Sequence, residues 1–209
     1  LNTLKSQLAK SAYDRNKWRD LTRAIVNDLH VAESEQFSKA RSLEALCSKV
    51  MLSNTPLDDH EAIIRVAAHY SIDGVYSEDE NGKITIDERL IKAAERTIRR
   101  ATSIWQKTGA VSFDEMIYLP VAQNLQPSRV KYVFVDEAQD LSILQQEIAF
   151  RSLENDARFV AVGDAHQAIY GFSGADAISF ERIIERAEAK VYPLNTCYRC
   201  AKTHIALAQ

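Results

Sequence analysis

The chain has 209 residues, of which 46% are hydrophobic and 26% charged, and its formal net charge is −3. This composition is typical of a soluble globular protein, long enough for one large domain or two small ones. A net negative charge provides no global positive field, so any nucleic-acid contact has to be local. No apolar stretch is long enough to span a membrane and no signal peptide precedes the first helix, so we expect a cytoplasmic protein without a membrane partner.

Cysteine usage and the first residue add two expectations. The cysteines are Cys47, Cys197 and Cys200. Three cysteines fit a reducing cytosol, and a single C-x-x-C without a second pair gives little support for a zinc or redox site. The chain begins with Leu1 rather than Met. We therefore expect it to be a piece of a longer protein.

Residues 1–110 are predicted to be mostly helical. Apolar residues at three-and-four spacing predict helices over about 15–30, 34–53 and 86–109, and Phe37 is expected on the apolar face of the second. Asp58 and Asp59 supply a cap for one more helix, which carries Ile63, Ile64, Ala67 and Ala68. Between these helices, residues 71–83 contain Asn81-Gly82 and are expected to form an exposed turn or a short hairpin.

No residue in this half requires a chemical role. Arg96, Arg99 and Arg100 share one helical face and could contact phosphate together, although such a charged run is more often a solvated surface. The histidines in this half share no spacing typical of metal ligands, so we expect structural or surface roles for them. They are His30, His60 and His69.

After Val111 short apolar strands alternate with helices, which is typical of a parallel α/β sheet. Ser112 and Glu115 have the spacing of a capping box at a helix start. Strands are predicted at 132–135, 158–162 and 190–194, and the first of these is expected to be buried. Helices are predicted over 141–153, with Asp140 as the candidate cap, and over 177–189.

The end of the first strand carries two adjacent carboxylates, Asp136 and Glu137. Ligand sites in open α/β sheets lie beyond the carboxyl ends of strands. One carboxylate can hold hydrated Mg²⁺ while its neighbour activates a water. The structural alternative is a strand that leads into a helix, where acids are favoured by the helix dipole.

The second strand ends at Gly163 and a loop with several polar and aromatic side chains. Gly163 lets the chain turn sharply beside a ligand. The Gln167 amide can bridge an attacking water or a terminal phosphate. Tyr170 and Phe172 can stack on unpaired bases, at about 1–3 kcal/mol each. Alternatively, both rings pin the loop to the core.

The third strand end carries Tyr198 and Arg199. An arginine there can reach a γ-phosphate across a domain cleft, and the tyrosine can stack on a base. The alternative is a surface arginine near the start of a helix.

Together the three strand ends resemble the UvrD/Rep-like superfamily 1 DNA helicases. VDEAQD resembles their motif II (the Walker B segment), GDAHQAIYGFSGAD resembles motif III and LNTCYRC resembles motif IV, in the family's order and spacing. VSFDE at 111–115 resembles a family segment upstream of motif II. The resemblance implies an α/β fold, a partial RecA-like parallel sheet of the P-loop NTPase type after a mostly α-helical insertion domain. The implied domains are 1–110 (insertion), 111–193 (part of the first RecA-like domain) and 194–209 (start of the second).

The resemblance also implies roles for the nucleotide-site residues, with ATP and Mg²⁺ as cofactors. Asp136 would coordinate Mg²⁺, and Glu137 would be the general base. Gln167 would sense the γ-phosphate. Tyr198 would stack near adenine, and Arg199 would stabilise charge on the transferring phosphoryl group.

For the DNA site, the resemblance implies that Phe172, with Tyr170 beside it, stacks on single-stranded DNA. The implied partners are single-stranded DNA, DNA duplex junctions and the remainder of the helicase chain. In this sequence Ser173 replaces a usual basic residue and Cys197 a usual Asn.

The P-loop sequence G-x-x-x-x-G-K-[ST] does not occur in the 209 residues. We therefore expect an internal fragment of an ATP-dependent DNA helicase that hydrolyses little or no ATP alone. The alternatives are the helicase half of a helicase–nuclease, a non-catalytic module that binds protein or DNA, and an RNA helicase.

Overall fold

The fold was analysed in a computed structural model that describes residues 11–78, 83–167, 178–194, 196, 198–199 and 201. Within those residues, no helix is both long and apolar enough to cross a membrane. The described helices are α1 Lys17–Asn27, α2 Glu33–Leu52, α3 His60–His69, α4 Glu88–Thr108, α5 Phe113–Ala122, α6 Ile143–Arg151 and α7 Ser179–Arg186. The described strands are β1 Ala12–Tyr13, β2 Tyr76–Glu78, β3 Ile84–Ile86, β4 Ala110–Val111, β5 Val130–Val135 and β6 Leu153–Ala161.

The strands form three two-stranded sheets. β1 pairs in parallel with β4, β2 pairs antiparallel with β3, and β5 pairs in parallel with β6. The antiparallel pair confirms the hairpin predicted within 71–83. The parallel β5–β6 pair that follows a helical first half confirms the predicted α/β class. The domain boundaries at 110 and 193 stay a prediction.

Capping side chains set most of the helix boundaries. The Asp59 side chain accepts a hydrogen bond from the Ala62 N–H, and Ser112 and Glu115 form the predicted capping box. Gly109 adopts φ 76° and ends α4, as predicted. The prediction of Asp140 as the cap of α6 was wrong. Residues 138–140 first form a 3₁₀ turn, so α6 begins later, with Ser142 as its cap.

The hydrophobic core lies mainly among α1, α2 and α4. Its fully buried side chains include Ile25, Leu43, Leu46, Ile98 and Trp105. The prediction for Phe37 was wrong, because α2 turns this ring outward and leaves 62% of it exposed. Helical periodicity gives the core face only approximately, and Phe37 lies at its edge.

A buried ion pair connects α1 to the start of α5. The Lys17 Nζ donates to Glu115 Oε1 at 2.6 Å and to the carbonyl oxygens of Ala101 and Ala110. Glu115 Oε2 accepts from the Ser112 N–H and the Trp18 Nε1–H. Both charged groups are therefore hydrogen-bonded on several sides, as burial of charge requires.

The β5–β6 sheet is covered on one face. Val133 and Val135 are half-buried, and the Phe159 ring of β6 stacks on Phe150 of α6 at 4.7 Å between centroids. On the opposite face Tyr132 and Phe134 are 60% and 73% exposed. The expectation of a buried strand was therefore wrong, because no described element packs on that second face.

The third predicted strand was also wrong. Residues 191–194 form no ladder with any described strand, and their side chains are exposed. An apolar run becomes a strand only where a neighbouring strand supplies hydrogen-bond partners.

Candidate functional site

The two acids after β5 lie on a backbone turn of unusual conformation. Glu137 adopts φ 49° and ψ 47°, in the left-handed region, and its N–H donates to Asp136 Oδ1 at 3.0 Å. The next residue, Ala138, donates its N–H to the Val162 carbonyl at 3.0 Å. A non-glycine residue in this region costs of order 1–3 kcal/mol, and such strain is concentrated at functional sites. Both carboxylates are exposed at the end of the sheet.

Gln139 connects the Glu137 carboxylate to the end of β6. Its side chain is 2% exposed. The Nε2 group donates to Glu137 Oε2 at 2.8 Å, and Oε1 accepts from the Asp164 N–H at 3.0 Å. Sequence reasoning missed Gln139. The available signal was an amide set among the acids of DEAQD, since an amide can donate to one group while accepting from another.

Gly163 makes room for this bridge. A Cβ atom at this position would lie 2.5 Å from Gln139 Oε1 and 3.1 Å from the Ala138 nitrogen. The sequence predicted a sharp turn at Gly163. The structure gives the physical need for glycine as close approach between the two strand ends, since its φ is not in the left-handed region.

Gln167 is held by Asp164 rather than by the core. The Gln167 Nε2 donates to Asp164 Oδ2 at 2.7 Å, and the His166 N–H donates to Asp164 Oδ1 at 3.0 Å. These hydrogen bonds, that from Gln167 first, hold the pKa of Asp164 below its usual range. Asp164 was not among the predicted site residues, although an acid directly after a strand end is a recognisable signal.

The four side chains therefore form one hydrogen-bonded series, which we call the strand-end bridge. It runs from Glu137 through Gln139 and Asp164 to Gln167. Each residue comes from one of two neighbouring parallel strand ends. The predicted catalytic acid and the predicted phosphate sensor are thus physically connected, with Asp136 beside them.

Other predicted site residues are not connected to this series. Tyr198 is 94% exposed and Arg199 is exposed, and no described hydrogen bond or ion pair links either to the strand-end bridge. Tyr170 and Phe172 lie outside the described residues, as do Ser173 and Cys197. Their predicted roles are therefore not addressed by the described part of the chain.

The residues present fit a magnesium–nucleotide complex better than a closed metal site. No group of three or more His, Cys, Asp or Glu side chains among the described residues could hold a metal ion. Mg²⁺ needs no such cage, because it usually keeps several waters and uses one or two carboxylates together with substrate phosphates. The exposed Asp136 carboxylate suits that mode. Burial instead raises the pKa of the Cys47 thiol, which argues against a reactive thiolate there.

A parallel strand pair whose ends carry Asp136, Glu137 and Gln167 defines a nucleotide-hydrolase type of site. The profile of the UvrD/REP helicase N-terminal domain matches residues 2–188. The chain therefore belongs to the UvrD/REP helicase N-terminal domain family, as its motifs predicted.

Three relatives illustrate this membership. The chain is 47% identical over 53 residues to F-box DNA helicase protein 1 of Schizosaccharomyces pombe, which is 25% of the chain and 6% of the relative. It is 31% identical over 113 residues to the ATP-dependent DNA helicase srs2 of the same yeast, covering 51% and 12%. It is 32% identical over 117 residues to an ATP-dependent helicase/nuclease of Oenococcus oeni, covering 49% and 10%. The chain thus matches between 6% and 12% of the length of these relatives.

Proposed function

We propose that this chain is part of the motor of an ATP-dependent DNA helicase, in which Mg²⁺-ATP hydrolysis drives movement along single-stranded DNA and separation of duplex junctions. The observation that carries the proposal is the strand-end bridge from Glu137 to Gln167. It makes a candidate base and a candidate phosphate sensor one unit, which a purely structural pair of acids does not need. Membership in a helicase family and the names of the relatives support the same conclusion.

In this proposal each strand-end residue has one task. Asp136 holds the hydrated Mg²⁺ that neutralises phosphate charge. Glu137 orients and deprotonates the attacking water, and its left-handed backbone fixes the carboxylate at the rim of the sheet. Gln139 is a positioning residue, since it acts through Glu137 and Asp164. Gln167 contacts the terminal phosphate once the nucleotide is bound.

The remaining roles depend on other parts of the full-length protein. Tyr170 and Phe172 are proposed to stack on unpaired bases, Tyr198 on adenine, and Arg199 is proposed to approach the γ-phosphate. A P-loop supplied elsewhere in the protein would hold the β- and γ-phosphates. Positioning and charge stabilisation provide nearly all phosphoryl-transfer catalysis, so we expect the 209-residue chain to hydrolyse little ATP alone. A cytoplasmic location remains a prediction.

The test compares ATP hydrolysis, with and without single-stranded DNA, by the full-length protein, its Glu137→Gln variant and the 209-residue chain. We expect DNA-stimulated hydrolysis by the full-length protein and a loss of about 10²–10⁴-fold in kcat for Glu137→Gln, the usual contribution of a general base. Glu154→Gln is the matched control, since it removes the same charge from an exposed position on β6. A full-length protein without ATPase activity would support a non-catalytic binding module instead. Stronger activation by RNA than by DNA would favour an RNA helicase.

A second candidate is the helicase half of a helicase–nuclease. The similarity to the ATP-dependent helicase/nuclease of Oenococcus oeni favours it specifically. Degradation of linear DNA by the full-length protein, retained after Glu137→Gln in a single-strand cleavage assay without ATP, would support this candidate. Unwinding without any cleavage would exclude it.

A further inference from the structure

An open cleft between α1 and α2 carries an unusual concentration of positive charge. Its volume is about 260 Å³. The side chains that matter to the argument are Arg15, Arg19, Arg23, Phe37, Arg41 and Glu44. Four guanidinium groups therefore share one surface of a chain whose formal net charge is −3. We call this surface the arginine cleft.

These arginines lack the acidic partners that arginines elsewhere on the helical half have. Arg65, Arg96 and Arg99 each have a carboxylate within 4.0 Å. Among the described residues, Arg15, Arg23 and Arg41 have none at that distance, and Arg19 has only the exposed Asp20 beside it at 3.4 Å. Glu44 is the acid in the cleft, and burial raises its pKa, which weakens its compensation of the four positive charges. An anionic ligand would relieve the repulsion among these cations.

An aromatic ring lies beside the charges. Phe37 is 62% exposed, and the guanidinium carbon of Arg23 lies 6.0 Å from its ring centroid. An exposed phenylalanine at the edge of a basic surface has no packing function. Basic grooves with aromatic platforms are how proteins hold unpaired nucleic acid, because guanidinium groups contact the backbone while rings stack on bases.

We propose that the arginine cleft binds a segment of single-stranded nucleic acid, with backbone phosphates among Arg15, Arg23 and Arg41 and an unpaired base against Phe37. This site lies on the helical half and is separate from the loop that contains Tyr170 and Phe172. It would give the strand a second attachment point on the same chain. The inference rests on the proposed function only in taking DNA as the physiological strand.

The test measures binding of a fluorescent 15-nucleotide oligo-dT to the 209-residue chain by anisotropy, without ATP, over a series of salt concentrations. We expect Arg15→Gln/Arg23→Gln/Arg41→Gln to weaken binding at least tenfold at low salt. The slope of log K against log salt should become shallower by about 0.7 for each phosphate that the variant no longer neutralises. Arg65→Gln/Arg96→Gln/Arg99→Gln is the matched control, since it removes three exposed but ion-paired arginines. Its slope should equal that of the wild type, and thermal melts verify that both variants are folded.

A second variant separates stacking from charge. Phe37→Leu keeps an apolar side chain and every charge, so we expect about fivefold or more weaker binding with an unchanged salt slope. Wild-type binding by both cleft variants, or no binding of oligo-dT by the wild-type chain, would overturn the proposal. So would equal binding of a duplex of the same length together with no effect of Phe37→Leu, or equal competition by polyglutamate, which would indicate an acidic protein partner. None of these results bears on ATP hydrolysis, so they leave the proposed function standing or falling by its own test.

Discussion

The helical half and the sheet half of this protein are stabilised in different ways. In the helical half, side chains such as Leu43 and Ile98 are fully buried, and the Lys17–Glu115 ion pair is surrounded by hydrogen bonds. In the sheet half, Phe134 is 73% exposed on one face of a parallel sheet, a type that is normally covered on both faces. The comparison indicates that core packing maintains the helical half. The strand ends depend instead on a few hydrogen bonds through Gln139.

The largest effect is expected from breaking the helical half at its buried ion pair. Lys17→Met leaves the Glu115 carboxylate buried without its cation, so we expect a loss of about 3–5 kcal/mol in the free energy of unfolding. Urea denaturation of the 209-residue chain measures it. Lys107→Met, at an exposed position in the last turn of α4, is the control and should change stability by less than about 0.5 kcal/mol. A small effect of Lys17→Met would show that the helical half does not depend on this pair.

The sheet half can be broken at Gln139 with little change in side-chain shape. In Gln139→Glu the new carboxylate still accepts the Asp164 N–H but faces Glu137, so the like charges repel and raise the pKa of the new acid. We expect kcat of the full-length protein to fall about tenfold at about pH 8 and to recover as pH falls, because a protonated Glu can donate to Glu137 as the amide does. Gln139→Leu should stay slow at every pH. Identical pH profiles for the two variants would contradict a positioning role for Gln139.

The smallest effect is expected where α6 meets α7. Glu147 lies 2.6 Å from Arg151 and 2.7 Å from Arg186, and the hydrogen bond from Arg151 is the main reason that its pKa lies below its usual range. Because the folded-state pKa is lowered, this stabilisation is present above the unfolded-state pKa and is lost as pH falls through the folded-state pKa. We expect Glu147→Gln to destabilise the chain by at most about 1 kcal/mol at about pH 7, since the pair is partly exposed, and by less at about pH 3. Urea titrations at the two pH values measure the difference. An equal effect at both values would rule out the ion pair as its cause.

Local signals in the sequence predicted much of the helical half. Asp59, Ser112 and Gly109 define helix ends through contacts with their own backbone neighbours, so their roles are readable from sequence alone. Asn81-Gly82 predicted the hairpin in the same way. Phe37 was misplaced because its exposure depends on how α2 packs against α1, which periodicity does not specify.

In the sheet half, sequence identified the chemical groups but not their connections. Asp136, Glu137 and Gln167 were recognised from their positions after strands. The bridge through Gln139 and Asp164 depends on the register of β5 and β6, which becomes visible only in three dimensions. The burial predicted for β5 and the strand predicted at 190–194 both assumed neighbouring elements that the described residues do not include.

The most direct test of the central claim is a double-mutant cycle in DNA-stimulated ATPase activity of the full-length protein, with Glu137→Gln, Gln167→Ala and the double variant. If the strand ends act as one unit, the double variant should be little slower than Glu137→Gln alone, because residues that function together give strongly non-additive losses. If the two losses in kcat multiply instead, Glu137 and Gln167 act independently, and the strand-end bridge is not the basis of the site.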